Sequence, residues 1–180
     1  RYNYAEFNAW VNRYAAYFSS TGTQKGDVVV VAIENRPELL VVISALVKLG
    51  AVSALIITSQ RGDVLRHSVA LVEPKRVVVG EELLQAVQEI KTALPSAPGT
   101  RLFIKDDELA GACPKAVGDL DAESHGCAEI NPASTMLARA NDPLCYFYTS
   151  GTTGLPKDAV LTNGRYMKAY GGIGLACLRF

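Results

Sequence analysis

The sequence lacks the features that identify nucleic-acid-binding and membrane-spanning proteins. Eighteen basic residues balance eighteen acidic residues, and no cluster of lysine and arginine stands out along the chain. Because a nucleic-acid-binding surface is normally basic, we expect no nucleic-acid partner. The longest strongly apolar run covers only residues 39–47, whereas a membrane-spanning helix needs roughly 20 apolar residues.

Cysteine and histidine are also scarce. Four cysteines occur, Cys113, Cys127, Cys145 and Cys177, without a Cys-x-x-Cys pair and without a histidine at metal-ligand spacing. This pattern predicts no zinc site and favours reduced thiols, so we expect a cytoplasmic protein.

What the sequence does have is a core-forming composition, with 49% apolar and 20% charged residues. Strand-like and helix-like segments alternate from residue 28 to residue 104, and continuous apolar runs such as 28–33 are typical of strands buried on both faces. The alternation predicts an α/β fold with a mostly parallel sheet flanked by helices. The predicted strands are 28–33, 51–58, 76–79 and 101–104, and the predicted helices are 4–18, 35–50, 62–72 and 81–94.

Several helix ends carry capping signals. Asn3 followed by Glu6 predicts a capping box, Asn35 is the predicted N-cap of the second helix, and Gly50 is its predicted end. Asn163 is the predicted cap of a last helix near the end of the chain.

Residues 106–142 show neither the hydrophobic period of a helix nor that of a strand, and we interpret them as a long surface excursion. The chain starts at Arg1 rather than methionine and stops at Phe180 within an apolar, helix-like run. We therefore expect it to be a fragment of a longer protein.

The most informative segment is CYFYTSGTTGLPKDAV, residues 145–160. A strand-like run leads into hydroxyl side chains and glycines, Pro156 and Lys157 follow, and a strand-like run resumes. Hydroxyl donors, backbone amides exposed at glycines and one cation suit a polyanion such as a nucleotide triphosphate. The alternative is a solvated turn with a surface lysine. A Walker A loop is excluded, because Gly151 and Gly154 are too close together and Lys157 follows a proline.

The string YTSGTTGLPK resembles the phosphate loop of the adenylate-forming (AMP-binding) superfamily, which includes acyl-CoA synthetases, luciferases and peptide-synthetase adenylation domains. Upstream, KGDVVVVAIENRPELLVVISALVKLGAVSALI resembles the amino-terminal α/β region of that family. Downstream, GRYMKAYGGIGLACLRF is similar to the long-chain and very-long-chain acyl-CoA synthetase and fatty-acid-transport-protein branch. By this resemblance, residues 1–180 are the amino-terminal part of an AMP-binding domain.

The resemblance implies a two-step ligation with ATP, Mg²⁺ and coenzyme A. A carboxylate, here a fatty acid or another carboxylic acid, attacks the α-phosphorus of ATP, and the thiol of coenzyme A then displaces AMP. The catalytic residues are expected outside this stretch, so we expect the 180-residue chain alone to lack ligase turnover. Peripheral association with a membrane is compatible with this family. The resemblance assigns phosphate binding to Thr149, Ser150, Gly151, Thr152, Thr153, Gly154 and Lys157.

Two positions depart from the family pattern. The position after the lysine is usually glycine or alanine, but here it is Asp158. A carboxylate beside phosphates would weaken binding; however, neighbours on a strand point to opposite faces, so we expect Asp158 to face away from Lys157. Asn163 stands where many relatives have histidine, and we interpret that change as structural.

Other candidate sites are less specific. His125 and Cys127 resemble a nucleophile pair without an orienting third group, and the three acids at 106–108 are typical of a solvated turn. Two alternative functions stay open: a non-catalytic nucleotide-binding module, and another adenylate-forming branch such as an aryl-CoA ligase or a peptide-synthetase adenylation domain.

Overall fold

The fold is organised around one seven-stranded sheet. The computed structural model describes residues 1–96, 100–104, 117–149 and 156–173. The strands are β1 Val28–Ala32, β2 Val52–Leu55, β3 Arg76–Gly80, β4 Arg101–Ile104, β5 Gly118–Asp119, β6 Pro143–Thr149 and β7 Lys157–Thr162. Their order is β5-β4-β3-β1-β2-β6-β7, with β1 to β6 parallel and β7 antiparallel to β6. The predicted mostly parallel α/β fold is thus confirmed.

Helices cover both faces of this sheet. They are α1 Tyr4–Ser20, α2 Pro37–Leu49, α3 Gly62–Leu71, α4 Leu84–Glu89, α5 Leu120–Ser124 and α6 Asn163–Ile173. Short 3₁₀ turns occur at Glu81–Leu83, Lys91–Ala93 and Ala133–Leu137. No helix in the described ranges is both long and apolar enough to cross a membrane.

The two faces of the sheet carry two separate cores. On one face, the first core joins α1, α2 and α5 to the sheet through residues such as Tyr14, Leu46 and Leu120. On the other face, the second core joins α3 and α4 to the sheet through residues such as Leu65 and Val87. Because successive strand residues point to opposite faces, β1 contributes to both cores, which explains its unbroken run of valines.

Two of the predicted caps are confirmed. Asn3 and Glu6 form a reciprocal capping box, with each backbone N–H donating to the other side chain at 2.9 Å. Gly50 ends α2 in the left-handed conformation, with a φ of 70° that favours glycine.

The other two predicted caps were wrong. Arg36, not Asn35, is the N-cap of α2. Since the residue before a proline is held in an extended conformation, Pro37 places the helix boundary at Arg36. At α6, the Thr162 hydroxyl accepts a hydrogen bond from the Arg165 N–H at 3.3 Å, which is the capping contact.

The predicted regular helix at 81–94 is split into a 3₁₀ turn, α4 and a second 3₁₀ turn. Leu83, Val87, Ile90 and Leu94 are nevertheless all buried in the second core, as a helical period predicts. A burial pattern does not distinguish tight from regular helical turns, and no glycine or proline marks the change in the sequence.

Part of the stretch interpreted as a surface excursion contributes to the sheet and the first core. β5 pairs with β4, and Leu120 of α5 is fully buried. The Asp119 side chain caps α5, while the Tyr14 hydroxyl donates to Asp121 and the Tyr17 hydroxyl donates to Glu123. A two-residue strand and a five-residue helix are too short to produce a recognisable period.

Candidate phosphate-binding site

The predicted phosphate loop follows β6, a strand that runs parallel to the main sheet. In the β2–β6 ladder, Leu55 is opposite Phe147, so the end of β6 lies at the same sheet edge as the ends of β1 to β5. Ligands of open α/β sheets bind beyond the carboxyl ends of the strands, which is this edge.

The structure describes two of the seven predicted phosphate-binding residues, Thr149 and Lys157. The other five, Ser150, Gly151, Thr152, Thr153 and Gly154, lie outside the described residues. Thr149 and Lys157 are opposite each other in the last pair of the β6–β7 ladder, and the Thr149 hydroxyl donates to the Lys157 carbonyl oxygen at 3.3 Å. The two ends of the predicted loop are therefore held together by a hairpin.

The chemistry at this pair suits a phosphate. Thr149 and Lys157 are both exposed. Within the described residues, the Lys157 ammonium takes part in no ion pair. An exposed cation without a carboxylate partner, next to a hydroxyl, can bind an anion without first breaking an internal salt bridge.

The register of the hairpin determines where Asp158 points. Asp158 is opposite Tyr148, whose side chain packs in the second core beside α3. Directly opposite residues of an antiparallel pair share a face, so Asp158 lies on the face away from Lys157. This confirms the expected orientation.

Tyr148 anchors the strand immediately before the loop. Its hydroxyl donates to the Ser68 carbonyl oxygen of α3 at 2.7 Å, in a buried position. Burial raises the pKa of the Tyr148 phenol, and the nearby Asp158 charge raises it further. Sequence reasoning treated Tyr148 only as part of a strand. The one signal available was a tyrosine, an apolar ring with a polar tip, directly before the loop.

The open end of the hairpin is also fixed. The backbone N–H groups of Asn163 and Gly164 donate to the carbonyl oxygens of Asp142 and Ala140 at 3.0 and 2.8 Å. The Asn163 amide donates to the Arg139 carbonyl oxygen at 3.1 Å, which supports the structural interpretation of this position.

The Asp142 carboxylate extends this clamp to the rest of the fold. It accepts hydrogen bonds from the Lys25 ammonium at 2.6 Å and from the Arg139 N–H at 2.9 Å. The Lys25 hydrogen bond, followed by that from the Arg139 backbone, holds the pKa of Asp142 below its usual value. The hairpin that carries the loop is thus fastened at both ends.

At the same sheet edge, a crevice between β1 and β3 is filled by side chains. β1 and β3 are neighbouring strands, and the helices that follow them, α2 and α4, lie on opposite faces of the sheet. This arrangement creates a crevice, and doubly wound folds often bind nucleotides in such a crevice. Here Glu82 accepts hydrogen bonds from the Glu34 N–H at 2.8 Å and from Arg36 at 3.3 Å, and Arg36 also donates to the Ile104 carbonyl oxygen at 3.2 Å. These side chains occupy the crevice between β1 and β3.

The remaining sequence candidates form no site in the described residues. No hydrogen bond joins the side chains of His125 and Cys127 there, and Cys127 packs against the first core. No group of three histidine, cysteine or carboxylate side chains with metal-binding geometry occurs within the described ranges. The acids at 106–108 lie outside them.

Comparison with known proteins gives a consistent result. The family described as AMP-binding enzyme matches residues 1–177. A medium/long-chain-fatty-acid–CoA ligase of Mycobacterium tuberculosis is 35% identical over 175 residues, covering 96% of this chain and 27% of the relative. Long-chain fatty acid transport protein 6 of Mus musculus is 32% identical over 177 residues, covering 97% of this chain and 27% of the relative.

The fold of this chain also occurs in proteins of known structure. The crystal structure of ATP-bound MatB from Rhodopseudomonas palustris superposes with a TM-score of 0.68 at 25% identity, covering 95% of this chain and 31% of that protein. The chain thus spans about 27% of the length of the two curated relatives.

Proposed function

The chain belongs to the AMP-binding enzyme family, and on that premise we propose that the whole protein is an ATP-dependent acyl-CoA ligase. The observation that carries this proposal is the Thr149–Lys157 pair, which closes the predicted phosphate loop at the ligand-binding edge of the sheet. The ATP-bound state of a solved relative supports ATP as the nucleotide.

In the first step, a carboxylate oxygen attacks the α-phosphorus of ATP. The new bond joins the acyl group to AMP, and the bond to the departing pyrophosphate breaks. The loop hydroxyls and the Lys157 ammonium would stabilise the negative charge on the pyrophosphate, since fixed donors and cations act most strongly where charge develops. The hairpin holds Thr149 and Lys157 together, so this part of the site needs little rearrangement.

In the second step, the sulfur of coenzyme A attacks the acyl carbonyl carbon. The thiol loses its proton, the carbon–oxygen bond to AMP breaks, and the products are acyl-CoA and AMP. We place the groups that assist this step, including the base that accepts the thiol proton, outside the present chain.

The described residues fit a polyanion better than a dedicated metal site. The described part of the chain contains no group of three metal-binding side chains, so phosphate oxygens would hold Mg²⁺. The Lys157 ammonium and the Thr149 hydroxyl would bind the phosphates themselves. When bound, Mg²⁺ would neutralise part of the phosphate charge.

A fatty acid is the proposed acyl donor. The names of the two curated relatives, a medium/long-chain-fatty-acid–CoA ligase and a long-chain fatty acid transport protein, support this choice. We further propose that the protein prefers fatty acids with a long acyl chain. We also propose a cytoplasmic location, since the four cysteines are widely spaced and form no Cys-x-x-Cys pair.

A substrate screen on the full-length protein tests this function. Pyrophosphate release and acyl-CoA formation would be measured with acetate, octanoate, palmitate and benzoate in turn. We expect turnover to be greatest with palmitate. Turnover only with benzoate would instead favour an aryl-CoA ligase, and ATP binding without pyrophosphate release on any acid would favour a non-catalytic module.

A further inference from the structure

A cavity away from the predicted phosphate loop lies between α4 and the sheet. Its volume is about 330 Å³, at the lower end of the roughly 300–1,000 Å³ typical of small-molecule sites. Val77 and Val79 of β3 form one wall, and Val87 and Leu94 form the other. The interior of this cavity is therefore apolar.

The polar part of the lining is cationic. Lys91, Arg101 and the Gln88 amide line the cavity, and no carboxylate does so among the described residues. In the same part of the chain, neither Lys91 nor Arg101 forms a salt bridge. Two cations without carboxylate partners beside an apolar cavity complement a ligand with an anionic head and an apolar tail.

The backbone explains why both cations line this cavity. Lys91 begins the 3₁₀ turn that follows α4, and it lines the cavity together with Val87 of that helix. Arg101 is opposite Val77 in the β3–β4 ladder, so it lies on the sheet face that α4 covers. Both placements follow from the fold rather than from the conformation of a surface loop.

The cavity is separate from the predicted phosphate loop. β1 and β2 lie between β3 and β6, so β3 is three strand spacings, or about 14 Å, from the strand that precedes the loop. Arg101 is also the first residue of β4, whereas Thr149 is the last residue of β6. With strands that run parallel, these two residues belong to opposite edges of the sheet.

We propose that this cavity binds a fatty-acid-type carboxylate at a second site. The carboxylate would pair with Lys91 and Arg101, and the chain would lie against Val77 and Val87. The apolar lining and the small volume favour a hydrocarbon chain over a nucleotide. This site does not depend on ligase activity, because none of its residues contributes to the proposed phosphate site.

Photolabelling of the full-length protein tests the proposal. The probe is dodecanoic acid with a diazirine at the far end of the chain, and labelled peptides are mapped by mass spectrometry. We expect labelling within residues 77–94 that excess free dodecanoate removes. In the variant Lys91→Gln/Arg101→Gln, this labelling should fall by about ten-fold, because both charge-assisted contacts are lost.

A matched control removes two exposed cations elsewhere. Arg66 and Lys168 are exposed and do not line the cavity, so Arg66→Gln/Lys168→Gln should label like the unmodified protein. Circular dichroism melting curves show whether each variant is folded.

Three results would overturn the proposal. They are an absence of label in 77–94, unchanged labelling in the Lys91→Gln/Arg101→Gln variant, and equal labelling by the corresponding neutral alcohol. The last result would identify an apolar packing gap without anion selectivity. None of these readouts requires turnover, so a protein without ligase activity could still bind the probe.

Discussion

Asp158 lies directly across the β6–β7 ladder from Tyr148, on the sheet face opposite to that of Lys157. An acidic residue that immediately follows a phosphate-binding lysine would at first be expected to repel the nucleotide. The strand alternation explains how both residues can coexist, because it puts Asp158 on the sheet face of Tyr148 and Lys157 on the other face.

Replacement of Asp158 should therefore have little effect on nucleotide binding. In the full-length protein, we expect Asp158→Ala to change the Michaelis constant for ATP by no more than about three-fold, since an exposed charge is strongly screened by solvent. Steady-state pyrophosphate release gives this constant. A ten-fold lower Michaelis constant in the variant would show that the carboxylate reaches the phosphates.

Tyr148 should position the loop by tying β6 to α3. Tyr148→Phe removes the hydrogen bond to the Ser68 carbonyl oxygen and leaves that buried acceptor without this donor, at a cost of about 1–3 kcal/mol in the free energy of unfolding. We also expect the Michaelis constant for ATP to rise. Urea unfolding and steady-state kinetics measure the two effects.

Tyr146→Phe is the matched control for this prediction. Tyr146 is a half-buried residue of the same strand that packs against the second core. Its loss of a hydroxyl should leave both the unfolding midpoint and the ATP kinetics nearly unchanged. Equal effects of the two substitutions would rule out a specific role for the Tyr148–Ser68 contact.

Alkaline pH should destabilise the fold through buried phenols. Burial is the largest cause that raises the pKa of Tyr14, Tyr17 and Tyr148, with neighbouring carboxylates adding to it. Above about pH 10, the usual tyrosine pKa, the unfolded chain therefore binds fewer protons than the folded protein. The free energy of unfolding should then fall as pH rises, because protons stabilise the state that binds more of them.

Urea unfolding at a series of pH values between neutrality and the alkaline range measures this slope. The variant Tyr14→Phe/Tyr148→Phe should show a shallower decline. This comparison is needed because desolvation lowers the pKa of Lys48 in the folded protein. A lowered lysine pKa makes the free energy of unfolding rise with pH, which opposes the effect of the phenols. An identical slope in the variant and the unmodified protein would contradict the assignment to these phenols.

Lys48 should fasten the segment after α5 to α1. Its ammonium donates to the side-chain oxygens of Asn8, Asn12 and Asn131 at 2.5, 2.6 and 2.7 Å. We expect Lys48→Met to lower the free energy of unfolding by about 1.5–3 kcal/mol, the usual range for hydrogen bonds that involve a charged group. It should also increase proteolytic cleavage near Asn131. Cleavage at the rate of the unmodified protein would contradict this role.

Local sequence patterns predicted the architecture well. Unbroken apolar runs such as 28–33 indicated strands buried on both faces, and Gly50 marked the end of α2 correctly. The segment around Thr149 and Lys157 indicated a candidate ligand site, which stays a prediction, and the structure places these two residues at the sheet edge where the parallel strands end.

Contacts between distant parts of the chain could not be predicted in this way. The Tyr14–Asp121 hydrogen bond joins residues 107 positions apart, and the Arg36–Glu82 pair fills a crevice that exists only after β1 and β3 become neighbours. The Tyr148–Ser68 anchor has the same origin. Each depends on strand order, which neither hydrophobic period nor local propensity specifies.

The most direct test is to truncate both described ends of the predicted phosphate loop in the full-length protein. In Thr149→Ala/Lys157→Ala, we expect kcat/KM for ATP in palmitate-dependent pyrophosphate release to fall by at least about a hundred-fold, the effect typical of losing donors that stabilise developing charge. Lys168→Ala, which removes an exposed lysine of α6, should retain the activity of the unmodified protein. Unchanged kcat/KM in the double variant would contradict a phosphate-binding role for this hairpin.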